Sequence, residues 1–115
     1  MEERFLSKEF ITKSGRRMKI NRLVSALYGL SEFDLNVYSI IREKREITLK
    51  ELIEITNKNK PILIKSLKNL ENLDLITKQK IRNGEKGRPV YIYKINSILE
   101  NILLTDLKEL VNFIH

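Results

Sequence analysis

The sequence predicts a mainly α-helical domain with one small β-hairpin, extended by further segments at both ends. Three observations predict it. Apolar residues recur at helical spacing in successive stretches between Ile20 and Leu73, and good capping residues open two of them. A short helical stretch and a longer one are separated only by the polar turn Asn57-Lys58-Asn59. After them, two runs rich in β-branched and aromatic residues flank a loop that holds two glycines and a proline.

In chain order, Met1 to Lys19 reads either as a short amphipathic helix through Phe5, Leu6, Phe10 and Ile11 or as an arm, with a turn at Ser14-Gly15. Ile20, Leu23, Val24 and Leu27 share one helical face, and Gly29 is a suitable stop. Ser31 is an N-cap with Asp34 at the third helical position, and Leu30 and Leu35 can staple the start. That helix runs to about Lys44, with Phe33, Val37, Ile40 and Ile41 on one face. Thr48-Leu49-Lys50-Glu51 is a capping box, and Ile47 can staple onto Leu52. The short helix it opens ends near Thr56 and buries Leu49, Leu52 and Ile53. Pro61 falls in the first turn of the next helix, where a missing N–H costs nothing, and this helix extends to about Leu73. Strands follow at Leu75 to Ile81 and Val90 to Ile95, and Ser97-Ile98-Leu99-Glu100 is read as a capping box for a last helix.

A short helix, a polar turn and a longer helix make a helix-turn-helix, and the hairpin behind them makes it winged. The expected division is residues 1–19 as an N-terminal arm or short helix, 20–95 as the winged helix-turn-helix, and 96–115 as a C-terminal helix.

With 115 residues the chain forms one core and is too small for a two-domain enzyme. No apolar run is long enough to cross a bilayer, and Met1-Glu2-Glu3-Arg4 does not begin a signal peptide, so a cytoplasmic protein without membrane partners is expected. Cysteine is absent and the single histidine is His115. There is no Gly-rich phosphate loop after a strand and no carboxylate pair at metal-ligand spacing. Glu51 and Glu54 share a helix face, but capping accounts for the first and solvent for the second. The expectation is therefore no catalytic residue, no metal and no cofactor.

The net charge is +7. Between Thr56 and Lys94 stand ten basic residues against three acidic ones, while the rest of the chain carries twelve of each. The whole excess lies in one third of the chain. Such concentration points to a polyanion, nucleic acid before anionic membrane; charge alone does not separate these from a solvated lysine-rich face.

Position adds what charge lacks. In the helix spanning about 59–73, Leu63, Leu67, Leu70 and Leu73 form the core face, and Lys65, Lys68, Asn69 and Asn72 lie opposite. Lysine meets guanine edges or phosphates, and asparagine pairs with adenine. Lys58, Asn59 and Lys60 sit at the helix start, a place suited to phosphate. A neutral amphipathic helix would show mixed charge, yet no acid occurs from Asn57 to Asn69. Any hairpin loop of this length needs glycines, but residues 82–89 also gather Arg82, Lys86 and Arg88 around one tip, where arginine can enter a minor groove or hold phosphate.

The stretch from Lys86-Gly87-Arg88-Pro89 through Val90-Tyr91-Ile92-Tyr93-Lys94 resembles the wing and third strand of MarR- and TrmB-type winged helices. Asn59-Lys60-Pro61, the leucine ladder and Asp74-Leu75-Ile76 resemble their recognition helix and its exit. Ser14-Gly15-Arg16-Arg17, leading into Ala26-Leu27-Tyr28-Gly29-Leu30-Ser31, is similar to the first part of the small crenarchaeal Lrs-like regulators. The resemblance covers roughly Phe10 to Asn96. It implies a homodimeric regulator of transcription that binds double-stranded DNA, with the terminal helices in the dimer contact. Ile62 and Ile64 stand where that pattern usually has Thr and Ser, which shifts weight toward phosphate-dominated binding. Asp74 replaces a common glycine, and aspartate tolerates the left-handed turn needed there.

Two further features bear on partners. Lys13, Arg16, Arg17, Lys19 and Arg22 form a second acid-free cluster, which either reaches flanking phosphates or is a solvated arm. In the last helix, Leu99, Leu103, Leu107, Leu110 and Ile114 lie within about 80° of one another and are expected to hold a homodimer. The competing functions are a winged-helix protein-interaction module and a non-specific architectural DNA-binding protein. The sequence names no small-molecule effector.

Overall fold

The computed structural model describes residues 2–83 and 87–115, with side chains from Phe5 onward. The elements are α1 (Glu2–Ser7), β1 (Glu9–Ile11), β2 (Arg17–Lys19), α2 (Ile20–Tyr28), α3 (Glu32–Lys44), β3 (Glu46–Thr48), α4 (Leu49–Thr56), α5 (Lys60–Asn72), β4 (Ile76–Asn83), β5 (Pro89–Ile95) and α6 (Leu99–Ile114). β3, β5 and β4 form an antiparallel sheet in that order, and β1 and β2 form a separate hairpin. The fold is mainly helical with a small hairpin wing, as the hydrophobic periods require. No helix among the described residues is long and apolar enough to cross a membrane.

The helix boundaries follow from local chemistry. Ser31 and Asp34 close a reciprocal capping box at the start of α3, and Thr48 and Glu51 close another at α4. Left-handed residues end two helices: Gly29 (φ 68°) ends α2 and Asn57 (φ 55°) ends α4. Asn59 caps α5 by accepting the Ile62 N–H at 3.2 Å, with Pro61 in the first turn. Asp74 takes the left-handed turn after α5 (φ 58°), the geometry expected of it.

α3 is the central element, packed against α1, α2, α5, β3 and β5. Its Val37, Tyr38 and Ile41 meet Leu63, Leu67 and Leu70 of α5, Leu52 of α4 and Tyr93 of β5 in one core. Each such leucine contributes about 1.5–3 kcal/mol through burial. α5 therefore has one face fixed from beneath, and its other face is left outward.

The structure departs from the sequence reading in three places. β3 was not anticipated; with three residues it is too short to show alternation, and Ile47 and Thr48 also carry the start signals of α4. The sheet pairs Ile47 with Tyr93, so both side chains are buried. The N-terminal segment holds a short helix only over Glu2–Ser7; residues 9–19 form a hairpin in which Phe10 pairs with Met18, so Phe10 and Ile11 do not extend that helix.

The third departure is at α6. The capping box read at Ser97 does not form; the N-cap is Ile98, with no side-chain cap bond. The start is held from outside instead. The Tyr38 hydroxyl donates to the Ser97 carbonyl at 3.2 Å and accepts the Leu99 N–H at 3.0 Å. Arg42 adds an ion pair to Glu100 at 2.5 Å. Leu99 and Leu103 are consequently buried in the chain's own core, which removes both from the set read as dimer contacts. Leu107 packs partly on that core, while Leu110 and Ile114 are exposed.

Candidate nucleic-acid interface

The outward arc of α5 consists of Pro61, Lys65, Lys68 and Asn72, all exposed, with Ile62 at its edge. The buried arc is Leu63, Ser66, Leu67 and Leu70. The polar set read from the sequence thus faces solvent, with one exception. Asn69 is half-buried, and its amide nitrogen donates to Asp34 of α3 at 3.2 Å.

At the helix start, Lys58, Asn59 and Lys60 are exposed. The Lys58 backbone N–H donates to the Thr56 hydroxyl at 3.3 Å, and the Asn59 side chain is occupied by the cap. Cap and turn leave the two lysine side chains to project freely.

The wing rises beside this helix. β4 and β5 pair from Ile76↔Ile95 out to Asn83↔Pro89, with an irregularity between Lys80 and Arg82 that increases the local twist. Gly87 has φ 75°, a conformation that favours glycine at the return into β5. Arg82 and Arg88 are exposed on the two sides of the tip. Lys86 lies outside the described residues.

Between wing and helix runs a groove of about 570 Å³. Leu49, Ile64 and Tyr93 are among its apolar lining, and Lys50, Lys60, Lys78, Arg82 and Arg88 contribute cations. No carboxylate lines it among the described residues. Lys60, Arg82 and Arg88 were identified from the sequence; Lys50 and Lys78 were not. Lys78 lies over the Tyr91 ring, 4.3 Å from its centre. The diagonal placement of those two residues across β4 and β5 is a signal only once the register is known. Lys50 looked like an interior residue of a capping box, yet its side chain leaves the α4 start toward the groove.

Among the described residues, Lys60, Lys65, Lys68, Arg82 and Arg88 form no ion pair; the pairs present are Arg42–Glu100 and Lys94–Glu46. No cluster of three or more His, Asp or Glu side chains among the described residues is placed to hold a metal ion.

Beneath the arc lies a buried polar network. Asp34 accepts the Ser31 N–H at 3.0 Å, the Ser66 hydroxyl at 2.6 Å and the Asn69 amide at 3.2 Å. Burial alone would raise the Asp34 pKa; the hydrogen bonds, led by that from Ser66, outweigh it and hold the carboxyl below its usual range. Asp34 is therefore ionised and acts only as an acceptor.

A short helix, a tight polar turn, an outward-facing second helix and a twisted hairpin beside it constitute a winged helix-turn-helix. No protein-family model matches the sequence. The chain is 29% identical over 102 residues to an uncharacterized protein of Methanocaldococcus jannaschii, covering 84% of this chain and 83% of that protein. Its fold is similar to that of a possible transcriptional regulator from Methanosarcina mazei Go1, with a TM-score of 0.78, 20% identity, and coverage of 94% of this chain and 92% of the other. A protein from the thermoacidophilic archaeon Sulfolobus tokodaii matches with a TM-score of 0.64 and 24% identity over 82% of this chain and 89% of its own. A transcriptional regulator homologue from Pyrococcus horikoshii OT3 gives 0.57 and 14%, over 83% and 95%. At these identities the likeness establishes the winged-helix architecture.

Proposed function

We propose that the chain is a homodimeric regulator of transcription that binds double-stranded DNA, with α5 in the major groove and the wing on backbone or minor groove. The observation that carries this reading is the set of exposed cations on α5 and the wing, Lys65 and Lys68 on the outward arc and Lys60, Arg82 and Arg88 along the groove, none of which forms an ion pair among the described residues. A protein-interaction surface built on this fold would not need it. The descriptions of the Methanosarcina and Pyrococcus proteins as regulators support the same reading.

Phosphate contacts dominate the proposed interface. Few hydrogen-bonding side chains face outward from α5, and Ile62 and Pro61 occupy part of the arc. Lys58, Lys60, Lys50, Arg82 and Arg88 hold backbone, while Lys65, Lys68 and Asn72 approach the base edges.

The dimer reading is supported by α6. Leu104, Leu110, Val111 and Ile114 stay exposed, and Phe113 is 87% exposed. An apolar strip of that length on a helix of 16 residues is an aggregation hazard unless covered. A second copy of the same helix, related by a two-fold axis, is a self-matching cover. Two α5 helices would then reach half-sites about 34–36 Å apart on one face of the duplex.

Fluorescence anisotropy with short labelled duplexes tests the assignment. Arg88→Ala is expected to weaken binding to duplexes of unrelated sequence by similar factors, about threefold to tenfold each, since a backbone or width contact reads little sequence. If Arg88→Ala leaves every duplex bound as tightly as wild type, the wing is not part of the interface.

A further inference from the structure

Asp34 is the buried carboxylate among the described residues, and it lies against a helix whose first three turns carry no acid. Its Oδ2 accepts both the Ser31 N–H and the Asn69 amide nitrogen, and its Oδ1 accepts the Ser66 hydroxyl. The cap and the serine already give each oxygen a donor. Asn69 is thus not required to make the buried charge tolerable.

What the third bond does is fix Asn69. An ionised carboxylate only accepts, so it must face the amide nitrogen; a 180° turn of the amide would set oxygen against oxygen. One N–H is committed to Asp34. The carbonyl Oδ1 and the second N–H remain together on the other edge of the amide. No protein donor meets Oδ1 among the described residues, and it is not sealed from solvent. An acceptor and a donor side by side match the N6–H and N7 of adenine in the major groove.

The geometry points to Asp34 as a positioning residue that locks the Asn69 amide with its adenine-reading edge free, so that base selectivity arises on the α3-facing flank of α5. The lysine arc and the wing then supply affinity without much selectivity. This inference rests on the DNA-binding reading above. It also gives Ser66 a distinct place: it shares the carboxylate but does not touch Asn69, and serves as a control.

The test is selection of duplexes from a randomised pool by wild type and variants, followed by affinity measurements on the preferred duplex and on one with the selected adenine replaced. Wild type is expected to favour adenine at one position per half-site by about tenfold, within a range of roughly 5- to 100-fold. Asn69→Ala should abolish that preference while affinity for the replaced duplex changes by less than about twofold. Asp34→Ala should do the same, and the double variant should lose no more than either alone. Asp34→Asn should keep most of the preference, because its amide oxygen can accept from Ser31 and Asn69 while the Ser66 hydroxyl turns to accept. Ser66→Ala should keep it as well, although it removes a buried hydrogen bond. Asn69→Ala leaves the core intact, so the test does not depend on Asp34→Ala folding.

Retention of the adenine preference by Asn69→Ala overturns the inference, as does loss of it in Ser66→Ala and Asp34→Ala alike, which would mean general loosening of the helix. A wild type that binds duplexes with no base preference overturns it too, and leaves DNA binding standing. A wild type that binds no duplex at low salt overturns both.

Discussion

Replacing Leu110 and Ile114 together by glutamate is expected to give a folded, soluble monomer that binds a two-half-site duplex at least a hundredfold more weakly than wild type. Both side chains are exposed, Ile114 to 71%, so neither substitution disturbs the core of its own chain. Leu107 is less suitable because it packs against that core, and Leu99 and Leu103 would unfold the α6 start. In the proposed dimer both positions lie in the seam on each protomer, and four carboxylates buried in one apolar seam are not tolerated. The loss in DNA binding follows from valency. Two linked modules gain a factor of about 10² to 10⁴ over one through effective concentration, and a monomer forfeits it. Light scattering gives the mass and anisotropy the affinity. A wild type that is monomeric at micromolar concentration contradicts the dimer.

Asp34→Ala is expected to lower the stability of the domain by about 3 kcal/mol, since it removes a capping-box partner and strips an ionised acceptor from Ser66 and Asn69. In a domain of this size that is a fall in Tm of about 15 °C. The pH dependence has a definite sign. The folded carboxyl is held below its usual range, so its contribution is fully present above the unfolded value near pH 3.9 and is lost as pH falls through the lower folded value. The gap in stability between wild type and Asp34→Asn should therefore be constant from about pH 5 to pH 7 and close as pH falls below about 4. Denaturant titrations across that range measure it. A gap that widens on acidification would mean that Asp34 is not held ionised by these donors.

Much of this arrangement was legible in the residues. Capping boxes at Ser31 and Thr48, the left-handed stops and the leucine ladder of α5 act within a turn or two of the chain, and local signals of that kind are readable in one sequence. What stayed hidden depends on contacts far apart in the chain. Tyr38 starts α6 from about 60 positions upstream, and no pattern near Ser97 announces it; the apparent capping box there was a coincidence of residue types. For the same reason Leu99 and Leu103 could not be separated from Leu110 and Ile114. All four lie on one stripe, and only the position where the domain stops covering it divides core from surface. The outward face of α5 shows the same limit. Lys65 and Lys68 followed from periodicity, but the bond from Asn69 to Asp34 spans 35 residues and joins two helices whose packing the sequence does not display. Lys78 reaches the groove through the sheet register, and Lys50 through the placement of the α4 start beside it.

On the DNA-binding reading, the cations of α5 and the wing, which form no ion pair among the described residues, bind phosphate. Titrating a labelled duplex of arbitrary sequence at salt concentrations from 50 to 300 mM measures it. If about six phosphates are neutralised per dimer, log K falls linearly with log salt at a slope near −5. A slope shallower than about −2, or no binding at 50 mM, would contradict the account and leave the basic face without a role in DNA recognition.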